Sequence, residues 1–220
     1  NMGLASQFTY NFKDRYFIDY NFGYNGSENF AKGHRWGYFP AWSVAWNVSE
    51  EPWVKKAAPW LDMFKIRYSD GKVGNDKMYD GSRQIRFPYL YTLGEVSGTQ
   101  YNWSNANSAS AYAYGGIHYT ALAARGVTWE EARKRDLGID LVLFGQKFSL
   151  TADYFYEKRT GIYMRRNFLP GILGIESSPW ANVGSTTSQG IDGNFKYEQR
   201  FGDVYLTVRG NMTYSKGKIH

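Results

Sequence analysis

"RWGYFPAWSVAWNVSEEPW", residues 35–53, places Trp36, Tyr38, Trp42, Val44, Trp46 and Val48 at every second position around Pro40, with Gly37, Ala41, Ser43, Ala45, Asn47 and Ser49 between them. Successive side chains of a strand point to opposite faces, so this pattern predicts one aromatic face and one small or polar face. Proline lacks the N–H that a ladder uses, so Pro40 fits only at a bulge or beyond the paired region.

The same alternation recurs along the chain and predicts about eight strands. Before the opening stretch come Phe8, Tyr10 and Phe12, then Tyr16, Ile18, Tyr20, Phe22 and Tyr24. After it come Phe64, Ile66 and Tyr68; Leu137, Ile139, Leu141 and Leu143; and Phe148, Leu150, Ala152, Tyr154 and Tyr156. Ile191, Phe195 and Tyr197 form the weakest set, followed by Val204, Leu206, Val208, Met212 and Tyr214. The opposite face holds charges, among them Asp19, Lys65, Arg67, Asp140, Asp153, Lys196, Glu198 and Arg209. In the core of a sandwich each would carry a desolvation cost, whereas in a large barrel that face meets a wet lumen or a plug.

The connections alternate in length. "KDR" at 13–15, "GQ" at 145–146 and "RFGD" at 200–203 read as tight turns, and the link from Ser49 to Asp62 is moderate. Long loops are expected at about 26–35, 75–127 and 161–182. Short turns on one side and long loops on the other are the asymmetry of an outer-membrane barrel. In "PWVKKAAPWLDMF" a short helical turn is expected at the short-turn interface. In "TWEEARKRD" the Thr128 to Glu131 spacing suits a capping box, but the reading preferred is a loop running into the next strand.

Composition agrees. Nineteen Tyr, fourteen Phe and eight Trp make the chain 19% aromatic, while its mean hydropathy stays at −0.55. Transmembrane strands alternate, so averaged hydropathy hides them, and no run approaches the roughly 20 apolar residues of a spanning helix. The absence of cysteine excludes disulfide scaffolds and thiolate metal sites. The formal charge of +6 is dispersed near loop ends, at Lys32 and Arg35, Arg133 to Arg135, and Arg165 and Arg166, which favours an anionic surface over nucleic acid. The chain opens and closes inside alternating patterns and shows no signal peptide, so a fragment of a longer protein is expected.

"GYFPAWSVAWNVSEEPW" (37–53), "WLDMFKIRYSDGKVGND" (60–76) and "RDLGIDLVLFGQKFSLTADYFYEKRTGIY" (135–163), with "NVGSTTSQGIDGNFKYEQ" (182–199), resemble in order and spacing the barrel of TonB-dependent outer-membrane transporters, specifically SusC-like importers of glycans and other nutrients. The resemblance implies an all-β, antiparallel transmembrane barrel of about 22 strands, of which residues 1–220 would be a C-terminal portion without the plug domain. It implies a SusD-like surface lipoprotein over the external mouth, energy from the TonB complex acting on the plug, and a glycan or peptide substrate. Asp70 departs from the family pattern: it stands on the parity of the lipid-facing residues, above the hydrocarbon.

Site candidates follow. Trp36, Tyr38, Trp42, Trp46 and Trp53 are expected along the membrane surface, with Trp60 near the short-turn edge. Asp19, Arg67, Asp140, Asp153, Lys196 and Arg209 are the lumen-facing candidates. In the longest loop, Tyr89, Tyr91, Tyr101, Trp103, Tyr112, Tyr114 and Tyr119 either touch substrate or lipoprotein or merely pack the loop. The arginines at 133, 135, 165 and 166 either meet lipopolysaccharide phosphates or form a solvated rim. His34, His118 and His220 have no carboxylate at ligand spacing, and "GKVGND" (71–76) lacks the residues of a P-loop and reads as a turn, so no metal, cofactor or catalytic group is expected. Two other readings compete: a self-contained eight-stranded outer-membrane adhesin or anchor, and a soluble carbohydrate-binding β-sandwich.

Overall fold

The computed structural model describes residues 2–95, 101–103, 112–114, 117–165 and 180–220, with backbone alone for 95 and for the short strands between 101 and 121. The strands, in chain order, are β1 (Met2–Phe12), β2 (Tyr16–Gly26), β3 (Trp36–Asn47), β4 (Leu61–Asn75), β5 (Met78–Asp80), β6 (Arg83–Ile85), β7 (Thr92–Glu95), β8 (Tyr101–Trp103), β9 (Tyr112–Tyr114), β10 (Ile117–Ala121), β11 (Glu130–Leu143), β12 (Phe148–Arg165), β13 (Trp180–Phe201) and β14 (Val204–Ile219). One helix, α1 (Pro52–Ala57), follows a 3-10 turn at Val48–Glu50. Eight long strands form one antiparallel sheet in the order β1-β2-β3-β4-β11-β12-β13-β14, and the short strands pair as β5-β6, β7-β10 and β8-β9.

All eight expected strands are present, and most are longer than their alternation indicates. β11 begins at Glu130, so "TWEEARKRD" turns into strand after Trp129, neither helix nor loop; β12 runs through Arg165 and β13 starts at Trp180, which shortens the loop expected at 161–182. "GKVGND" is not a turn up to Asn75 but the end of β4. Pro40 pairs with Phe22 of β2, while the ladder to β4 begins only at Ala41 opposite Gly71, so no bond to β4 is lost. β1 and β14 are not neighbours, which disfavours a closed eight-stranded barrel, and among the described residues no second sheet covers either face as a sandwich would require.

The tight turns explain themselves. Lys13 and Asp14 both take positive φ, the Arg15 N–H donates to the Phe12 carbonyl over 3.1 Å, and the Asn11 side chain grips Asp14 at 2.6 and 3.1 Å, which holds a primed turn without glycine. Pro52 opens α1 at its first turn, where its missing N–H costs nothing. Glu51, 8% exposed, clips this link to the sheet: its carboxylate accepts from the Tyr16 hydroxyl (2.7 Å) and Trp46 Nε1 (3.3 Å) and faces Arg15 at 3.5 Å.

Paired residues define a second, less obvious order. The row that starts at Phe12, the last residue of β1, passes through Tyr16, Trp46, Ile66, Ile139, Ala152 and Gly193 and meets β14 at Met212, eight residues beyond that strand's start at Val204. A slip of about one residue per strand, at roughly 3.3 Å per residue and 4.8 Å between strands, means a tilt of roughly 40°. That is the tilt of strands in a membrane barrel.

The sheet has no interior of its own; its apolar core lies at the long-loop end. Phe30, Met78, Ala124 and Val127 are buried, with Ile85, Trp129, Tyr163 and Trp180 packed against them. Trp129 meets Phe30 at 5.3 Å and Phe39 at 5.2 Å, and its Nε1–H donates to the Arg35 carbonyl. Phe39 lies on the polar parity of β3, and its ring covers Gly37 and Gly74 so closely that a Cβ at Gly74 would sit 2.0 Å from it. Ser27 and Asn29 tie the β2–β3 loop to Asp76 over 2.7 and 3.1 Å.

Replacing Phe39 with alanine should cost about 3–5 kcal/mol through the cavity left under Trp129, read as a lower denaturation midpoint of the full-length protein in detergent micelles. The Tyr16 hydrogen bond, the largest influence on Glu51, holds its carboxyl below the usual glutamate range. A depressed carboxylate adds stability above its unfolded value and loses it as pH falls through the folded one. Wild type should therefore exceed Glu51→Gln at pH 7, and the two midpoints should converge below the ordinary carboxylate range.

Candidate functional site

On the polar face, register brings Arg67 of β4, Gly138 of β11 and Asp153 of β12 into one row. Glycine in the middle leaves a channel over β11, through which the Arg67 guanidinium crosses that strand to reach β12. Its Nε donates to Asp140 Oδ2 at 2.8 Å and its Nη2 to Asp153 Oδ1 at 2.9 Å. A Cβ at Gly138 would stand 2.1 Å from Asp153 Oδ1 and 2.8 Å from Arg67 Nη2. Asp136 is two residues along the same face, and Asp192 pairs across from Asp153 while accepting from the Thr213 hydroxyl at 2.9 Å. One guanidinium thus pairs with two carboxylates in a patch of four, which leaves a surplus of acceptors suited to cationic or hydroxyl-bearing groups.

The six polar-face candidates do not form one site. Arg67, Asp140 and Asp153 share a network; Lys196 and Arg209 share Glu198 at 2.7 and 3.8 Å nearer the short turns; Asp19 stands apart and accepts from Ser43 at 3.2 Å. Sequence reading omitted Gly138, Asp136 and Asp192. Their shared parity was visible, but their adjacency depends on register.

The five interface aromatics are all exposed, from 39% for Trp46 to 63% for Trp53. Trp36 stacks on Tyr24 at 4.8 Å, Trp46 on Tyr16 at 6.5 Å, and Trp42 leans on Tyr68 at 5.3 Å, while the Tyr38 and Tyr20 hydroxyls share a hydrogen bond of 2.6 Å. With Leu4, Phe8, Ile139, Tyr154, Ile191 and Met212 also exposed on this face, the apolar area far exceeds a monomer's ordinary surface patch.

Of the loop tyrosines, Tyr89 is half-buried edge-on to Phe87, and Tyr91 is exposed beneath Arg125. Tyr101 pairs with Tyr114 and Trp103 with Tyr112 in the β8-β9 hairpin, and Tyr119 pairs with Leu93; the side chains of these five lie outside the described residues. Arg165 donates to Asp80 and covers Trp180, whereas Arg166 lies outside the described residues.

Arg67→Met should lower stability by roughly 1–2 kcal/mol, a figure moderated by the partial exposure of the pairs, and Asp140→Asn in the same chain should recover part of that loss. Gly138→Val should mimic Arg67→Met by displacing the guanidinium. Denaturation midpoints of the full-length protein at low and high salt would measure both effects.

No family model matches the chain. It is 27% identical over 191 residues to TonB-dependent receptor P3 of Formosa agariphila, covering 87% of this chain and 17% of that protein. It is 22% identical over 187 residues to TonB-dependent receptor SusC of Bacteroides thetaiotaomicron, covering 83% and 17%. The chain therefore spans less than a fifth of the length of these relatives. In fold it matches the RagAB peptide importer in its closed-closed state with a TM-score of 0.76, at 18% identity, over 99% of this chain and 22% of that one. In motif order, sheet topology and these likenesses the chain is similar to the barrel wall of SusC-like TonB-dependent receptors.

Proposed function

We propose that the chain forms part of the wall and external loops of an outer-membrane importer for nutrients, either glycan and oligosaccharide or peptide. The observation that carries this reading is the division of one tilted sheet into an exposed aromatic face and a charged face organised by Arg67. The aromatic face meets lipid and the charged face meets the lumen and a plug contributed by the rest of the receptor. The turns at Lys13, Gly145 and Gly202 then lie in the periplasm, and the strand ends at Gly26 and Trp36, Asn75 and Glu130, and Arg165 and Trp180 outside.

A SusD-like surface lipoprotein fits over the long-loop end, which in chain order holds Tyr89 and Tyr91, the paired strands carrying Tyr101, Trp103, Tyr112 and Tyr114, and Tyr119 on β10. Transport through an occluded barrel needs energy, and the TonB complex supplies it by acting on the plug. The likeness to a peptide importer favours neither substrate class, because the wall matched has 18% identity and recognition rests on loops and the partner. In this role the wall positions and excludes and does no covalent chemistry.

An antibody raised against residues 75–127 should reveal an outer-membrane product several times larger than 25.3 kDa that co-purifies with a surface lipoprotein. Disrupting its gene, or dissipating the proton gradient, should bring uptake of the cognate glycan or peptide down to background. A heat-modifiable band near 25 kDa, or a soluble product, would sink the importer reading.

A further inference from the structure

The aromatic face does not stay apolar toward the long loops. On β4, β11 and β12 its parity passes from Tyr68, Leu137 and Tyr154 to Asp70 and Lys72, Arg135 and Arg133, and Tyr156 and Lys158. Charged side chains here stand on the same side of the sheet as the tryptophans, not on the charged face around Arg67.

Asp70 organises them. Its side chain is 8% exposed and receives Arg133 through Nε and Nη2 at 2.9 and 2.7 Å and Arg135 through Nε at 3.1 Å. Lys72 faces Glu131 at 3.3 Å, and Lys158 has no ion-pair partner among the described residues. The group keeps an excess of positive charge, and the arginines, 50% and 43% exposed, retain guanidinium N–H groups that Asp70 does not use. Two forks held apart by a shared carboxylate, with spare donors pointing outward, suit a tetrahedral oxyanion.

Height identifies the oxyanion's source. Allowing for the slip of one residue per strand, Arg133 lies level with Tyr38 and Tyr214, roughly 27 Å above Phe12 and Val204 by strand rise and tilt. An apolar band of a membrane barrel is about 25 Å tall, so the cations stand where the headgroups of the external leaflet begin. Below them, Ala152 and Gly193 interrupt the row of large side chains, leaving a trough of about 590 Å³ between Leu150, Tyr154, Ile191, Phe195 and Met212, with almost wholly apolar walls.

We infer that the sector from β4 to β14 carries an external-leaflet lipid site, with a phosphate-bearing headgroup on Arg133, Arg135 and Lys158 of β11 and β12 and an acyl chain in the trough between β12, β13 and β14. The inference rests on the membrane reading proposed above. It goes further in assigning a fixed lipid to one sector of the wall.

The test uses the full-length receptor extracted from its own outer membrane in mild detergent, with bound lipid read by native mass spectrometry. Wild type should retain phosphorylated lipid, and lipopolysaccharide stripped of its phosphates should compete at least tenfold less well than intact lipopolysaccharide. R133A/K158A should lose at least fivefold in occupancy, whereas K134A, one position away but on the charged face, should keep it. Equal occupancy in the double variant, or equal competition by the stripped lipid, overturns the site. If the double variant does not fold, the comparison of intact and stripped lipid on wild type decides alone. Absence from the outer-membrane fraction would overturn the membrane reading as well; presence there without phosphate preference overturns the lipid site only.

Discussion

Backbone N–H and C=O groups that leave water for hydrocarbon each cost several kcal/mol unless another strand takes them up, and in this chain the ladder from β1 to β14 supplies that partner strand by strand. Side chains can then divide the two faces between them without regard to a core. Pro40 illustrates how narrow the tolerance is, since it falls one residue past the last β3–β4 pair. The outer edges of β1 and β14 lack such a partner among the described residues, which is why further strands belong to the functional reading.

Two modes of stabilisation coexist at opposite ends of the molecule. The wall depends on backbone pairing and on the solvent outside it, and its large side chains stay exposed. The long-loop end folds like a small soluble protein, with Phe30, Met78, Ala124 and Val127 buried and Phe39 and Trp129 joining them to the wall. Glu51 does a corresponding job at the short-turn end with polar bonds, beside the buried Val48 and Val54. A wall fastened at both rims, and pinned between them by Arg67, Asp140 and Asp153, holds its register without an apolar interior.

Sequence made the strands legible wherever one face is apolar. It failed where both faces are wet. Between Glu130 and Asp136 every residue but Ala132 is charged, so no period of two in hydrophobicity marks the strand, and the capping-box spacing of Thr128 and Glu131 offers a false alternative. Phe39 was hidden for the opposite reason: a large ring on the polar parity breaks the alternation, and its role depends on Trp129, ninety residues later. Arg67 and Asp140 were visible as charges of one parity, but the channel between Arg67 and Asp153 exists because Gly138 falls opposite both, a matter of register across three strands.

The oblique stagger has a mechanical meaning. With strands inclined at roughly 40°, a pull along the normal of the proposed membrane would act mostly along each strand, not across it, and so load the ladder in shear. Separating β11 from β12 in that direction must break a row of thirteen paired residues together, where peeling would break them one after another. A wall built this way can be tugged from within without unzipping.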